Sequence, residues 1–242
     1  MELFSTDKLR RVFESEIDAA GGRVKDVFDD GRRLFMRSVL PGIREVQPND
    51  RMQGGVAMRF TGELTISPYV FREVCENGAI WAHSLESTRI AVDSEGTERK
   101  VREAVRACSA PEVFDGNVTE IRRSLHTPAD RSIMMMPALS AMAKNGNHRI
   151  VAEIIDMFLE DQQRTGFALM NAVTAAARDV EDPELRWDLE ECGGGIPALL
   201  STCHTLEGGA TKRLEDELMD RILQDDERFT ADSGIRDLAA VA

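Results

Sequence analysis

Aromatic residues make up only 5% of this 242-residue chain, with one Tyr and two Trp. A surface that stacks base after base on rings would be sparse here. No stretch approaches the roughly 18 consecutive apolar residues of a membrane helix, so no membrane span is expected. The start, MELFSTDKLRR, lacks the apolar run of a signal peptide. Four cysteines, at 75, 108, 192 and 203, lie far apart. Together these absences predict a cytoplasmic protein with free thiols. Metal-binding patterns are missing too: there is no CxxC and no HExxH, and Cys192, Cys203 and His204 lack finger spacing. The glycine run CGGGIP (192–197) has neither the Lys-Ser/Thr of a phosphate loop nor the spacing of a dinucleotide site. It reads as a flexible loop between helices, and no metal or cofactor is expected.

What the chain does have is charge, unevenly spread. The net charge is -13. Residues 1–100 hold 15 Lys/Arg against 17 Asp/Glu, and the remainder holds 15 against 26. Such a field repels phosphate, so nucleic acid could bind only at a local basic face.

Patterning divides the chain. Residues 5–20 read as a helix, with Leu9, Val12, Phe13 and Ile17 at helical spacing and Gly21 and Gly22 as its stop. The DDG at 29–31 sits between two apolar-rich runs, which signals a hairpin. In the second run Leu34, Met36 and Ser38 face one way, and Arg33, Phe35 and Arg37 the other. Val56, Met58 and Phe60 share a face on a further strand and Arg59 takes the opposite one; Gly62 reads as a turn, and Pro68 argues for an edge or a break. Beyond about residue 97 helical patterns take over, at 97–110, 117–126, 147–163 and 165–180. A short helix is expected around Leu185, Trp187 and Leu189, and another over 208–224. The Met-rich run at 134–136 reads as core filler beside Pro137. The predicted fold is α+β: an N-terminal helix with an antiparallel sheet (1–96), a mainly helical part packed on it (97–225) in one domain, and a flexible tail (226–242).

Two sets of side chains invite a chemical reading. Cys75 and His83 lie eight residues apart, and a thiolate nucleophile needs a neighbouring base. The bland alternative is a packed thiol ending a strand, with His83 on a loop. The second set is arginine-rich: Arg33, Arg37, Arg44, Arg51 and Arg59, with Phe35 between the first two. Guanidinium groups beside a ring on an open sheet can hold phosphates while a base stacks. The alternative is a face of cross-strand Arg–carboxylate pairs.

Three pieces fall in a recognisable order: PNDRMQGGVAMRFTGE (48–63), FREVCENGAI (71–80) and GFALMNAVTAAARD (166–179). Over roughly residues 30–180 the chain resembles the phage- and plasmid-borne phage/plasmid-like proteins, domain of unknown function 932. The resemblance implies a mobile-element setting near replication and recombination functions, and no established catalytic residues. Its motif residues here are Cys75, Asn77, Gly78, Asn171 and Thr174. Asn77 and Gly78 tolerate positive φ and read as a strand-ending turn. Asn171 and Thr174 share a helix face, from which Asn171 could bond the loop at Asn77. The leading expectation is a non-enzymatic, homo-oligomeric protein that binds single-stranded DNA. The alternatives are an interaction or host-modulating module without nucleic acid, and, more distantly, a Cys/His enzyme.

Overall fold

The computed structural model describes residues 5–92, 96–129 and 146–203. The Met-rich run at 134–136, the helix expected over 208–224 and the tail lie outside them. The described part is an N-terminal helix, a seven-stranded antiparallel sheet, then helices, which is the predicted α+β layout.

Helix α1 (Thr6–Ala19) begins where Ser5 accepts a hydrogen bond from the Lys8 amide, and Gly21, at φ 73°, follows its end. Its apolar stripe, Leu9, Val12, Phe13 and Ile17, is fully or almost fully buried. Strands β1 (Arg23–Asp29) and β2 (Leu34–Val39) form the expected hairpin. Asp30 ties its turn by accepting from the Arg32 and Arg33 amides at 3.0 and 2.7 Å. β3 (Ile43–Gln47) and β2 lie end to end along β4 (Asp50–Phe60). β4 pairs with β5 (Leu64–Arg72) along nine register positions. β6 (Asn77–Ile80) and β7 (Thr88–Ile90) lie end to end along the far side of β5.

Pro68 sits inside β5, opposite Val56, and breaks nothing. Val56 turns its amide and carbonyl toward Ser38 on β2, so the backbone polar groups of Pro68 point the other way. On that side β7 has ended and β6 is beginning, and only the Pro68 carbonyl is used, by the Trp81 amide at 2.9 Å. The N–H that proline lacks would have had no ladder partner.

Helix α2 (Thr97–Cys108) packs with α1 over Leu34, Met36, Val56, Met58, Leu64 and Ile66 on one sheet face. Further along the same face, α3 (Pro111–Ser124), α4 (His148–Glu160) and α5 (Gly166–Arg178) build a second core that reaches Met52, Val70 and Ala79. The other face carries Phe35, Val39, Ala57, Tyr69, Phe71 and Ile80, and α6 (Pro183–Cys203) closes it with Trp187.

Two expectations fail in this region. CGGGIP is not a loop, because residues 192–197 lie inside the 21-residue α6. A Cβ at Gly194 would overlap the Ile80 carbonyl, and one at Gly193 would press on the Thr174 methyl. The glycines let α6 pass close over the β6 backbone on its way to α5. Asn77 and Gly78 are likewise not a turn but the first residues of β6. The turn lies before them, and Glu76 carries the positive φ, 54°. Gly78 is needed for space, since a Cβ there would overlap the Tyr69 hydroxyl.

Replacing Gly78 with Ala should therefore lower stability by about 1–3 kcal/mol, measured by denaturant unfolding. The hairpin turn adds a pH dependence. The Asp30 carboxyl is held at about 2 by the Arg33 amide, the Arg33 guanidinium and the Arg32 amide. Its folded value lies below the unfolded 3.8, so its contribution is present above that value and lost as pH falls through about 2. Amide exchange at Arg32 and Arg33 should lose its Asp30-dependent protection over that window, and Asp30→Ala, which has no acceptor for the two amides, should remove it at every pH.

Candidate functional site

Alternation along β2 and β4 puts Arg37 and Arg59 on one face with Phe35, as the sequence predicts, but α6 lies across it. Arg37 is 2% exposed and its Nε donates to Glu190, itself 1% exposed, at 2.5 Å. Asp26 and Arg186 extend the cluster: Arg37 Nη1 lies 3.3 Å and Arg186 Nη1 3.0 Å from the same Asp26 oxygen, and Arg186 Nε lies 3.3 Å from Glu190. Burial pushes the Glu190 carboxyl above its ordinary range, against the pull of Arg37 and Arg186. Arg37 Nη2 is buried without a hydrogen-bond partner, a cost the rest of the cluster must offset. At the rim, Arg33 pairs with Asp30 and Glu184, and Arg59 with Asp188.

These contacts correct the assignment of Phe35 as a stacking ring and of Arg37 as a phosphate contact. Phe35 has no exposed surface and packs against Trp187, with ring centroids 6.1 Å apart. The remaining arginines do not join them. Arg44 turns to α3, where Asp115 takes its Nε at 2.8 Å, and Arg51 lies 3.4 Å from Glu73. Thus all five arginines have carboxylate partners, in three separate places. Elsewhere Arg102 and Arg106 converge on Glu16, buried between α1 and α2.

The residues of FREVCENG and NAVT do converge, at the junction of β6 and α5. Phe167, Asn171, Thr174 and Arg178 are spaced by four, three and four, so they form one face of α5. Each lies at the sheet end. The Arg72 guanidinium lies 5.1 Å from the Phe167 ring centre while it grips Asp50 with two bonds of 2.6 and 2.7 Å. Asn77 Nδ2 donates to Thr174 Oγ1 at 2.7 Å, and Arg178 Nη1 to the Cys75 carbonyl at 3.0 Å. The partner of Asn77 is thus Thr174, one turn beyond the expected Asn171. Asn171 lines the same small cavity, with its Oδ1 buried and unpartnered. The space there for the centre of a water-sized sphere is about 10 Å³, about one water.

Among the described residues no hydrogen bond joins Cys75 to His83. His83 Nε2 lies 3.5 Å from Glu120, a carboxylate that also accepts from Trp81 Nε1 at 2.8 Å. Burial pushes the Cys108 and Cys192 thiols up to about 12, far from a reactive range. No group of three or more His, Cys, Asp or Glu among the described residues could hold a metal ion, and no described helix is long and apolar enough to cross a membrane.

Comparison with known proteins returned no match to any family model, curated protein or solved structure.

Both polar junctions should be structural. Arg37→Met should cost about 3–5 kcal/mol, because it leaves the buried Glu190 with only the longer contact to Arg186, and Arg37→Met with Glu190→Leu should cost much less than the sum of the single changes. Thr174→Val should cost about 1–3 kcal/mol by leaving the buried Asn77 amide without its acceptor. Urea unfolding of the single and double variants checks both.

Proposed function

We propose that this chain is a non-enzymatic, acidic interaction module that works through protein contacts and does not bind nucleic acid with its sheet. The observation that carries this reading is the pairing of every candidate phosphate-binding arginine with a carboxylate, together with the complete burial of Phe35. A net charge of -13 adds a long-range field that repels phosphate and favours a partner with a basic face. The order of motifs that resembles the phage/plasmid-like proteins supports a mobile-element setting, in which such a module would act on a host or assembly factor. Cytoplasmic residence belongs to the same reading.

Single-stranded DNA binding would have to be rebuilt on other cations. Within the sheet, the guanidinium groups of Arg23, Arg32 and Arg89 have no carboxylate partner among the described residues, but they lie on β1, on the hairpin turn and on β7. Fluorescence anisotropy with a labelled oligothymidylate of about 30 nucleotides at about 20 mM salt separates the readings. The expected result is no saturable binding. Binding that weakens steeply with salt, and weakens again in Arg33→Gln/Arg59→Gln, would overturn the proposal in favour of a nucleic-acid role.

A further inference from the structure

Helix α4 has more apolar surface than its neighbours among the described elements cover. Val151, Ile154 and Phe158 are buried and face α5, its main packing partner there. Ala152, Ile155 and Leu159 continue the apolar arc around one side. Ala152 is exposed, Ile155 half-buried, and Leu159 is 45% exposed. Their spacing of three and four makes them a stripe along the helix, the pattern of a helix–helix seam. Arg149 and Asp156 flank this stripe, seven residues apart on its outer side. Both are exposed, and neither has a hydrogen bond or ion pair among the described residues.

We propose that this stripe is the seam of a homodimer, in which α4 packs antiparallel against α4 of a second copy. The charges select the occupant and its direction. A two-fold axis perpendicular to the helix sets Ala152 beside the partner's Ile155 and Ile155 beside the partner's Ala152, while Leu159 covers each end. The same axis places Arg149 next to the partner's Asp156, and Asp156 next to the partner's Arg149. In a parallel pair the two-fold axis runs along the helices and puts the two copies of each charge on opposite sides of the seam, so neither Arg149 nor Asp156 would meet its opposite charge. Small Ala152 lets the helices approach closely at the centre. Glu153 and Glu160 project one step further from the seam, toward water. Thirteen residues give a contact only about 20 Å long. That is less than a standard interface, so the dimer is weak and depends on concentration.

Sedimentation equilibrium of the full chain from about 10 µM to 1 mM tests this, with dissociation expected near 100 µM for so small an interface. Arg149→Asp alone and Asp156→Arg alone should each weaken the dimer by about tenfold, since each creates two like-charge contacts. The double swap Arg149→Asp/Asp156→Arg should bring dissociation back to within about threefold of the starting protein. Both positions are exposed, so thermal unfolding should be unchanged and will confirm that the variants fold. A chain that stays monomeric to about 1 mM, single changes without effect, or a swap that fails to restore the dimer each overturns the proposal.

Discussion

The ion pair between Arg37 and Glu190 lies between the sheet and the helix that closes it, and it shapes what either face can do. A guanidinium on the middle of β2 cannot be left in an apolar interior, and neither can a carboxylate on α6. Each requires the other. Once they are joined, Trp187 covers Phe35, and the rim arginines find Glu184 and Asp188 on the same helix. A sheet face that is cationic and aromatic in sequence becomes, in the fold, a neutralised helix seat. Pairs of this kind add little net stability, but breaking one half is expensive.

The second constraint is close approach at the β6 edge. Helix α6 can reach from one face of the sheet to α5 on the other only by passing over the β6 backbone. Gly193 and Gly194 make that passage possible, and Gly78 leaves room for Tyr69 below it. The polar contacts of Asn77 and Arg178 then pin the same edge to α5. The motif residues therefore serve to fix one strand edge between two helices. Their chemistry is hydrogen bonding within the fold.

Much of this fold is legible in the sequence because it is local. Ser5, Gly21 and the apolar stripe of α1 are short-range signals, as are the alternation of β2 and the Asp-Asp-Gly of the hairpin. The β4 faces are legible for the same reason. Local rules fail where a partner lies far along the chain. Alternation places Arg37 on its face correctly, but nothing near residue 37 indicates that Glu190 waits 153 positions away. Three glycines and a proline look like helix breakers to any local rule, and only the Ile80 backbone explains why a helix tolerates them. Periodicity puts Asn171 and Thr174 on the right helix face. Which of them touches Asn77 depends on a rotation of α5 that periodicity does not fix.

If α6 is an integral wall of the fold, it should not open separately from the sheet. Native-state hydrogen exchange across a denaturant series measures this amide by amide. The amides of Trp187 to Cys192 should share one opening free energy with those of Phe35, Arg37 and Ala57, and that energy should equal global unfolding. If α6 instead opens several kcal/mol below the strands, exposing Arg33, Phe35, Arg37 and Arg59 while the sheet stays folded, then the helix is a detachable cover and its role as a wall is contradicted.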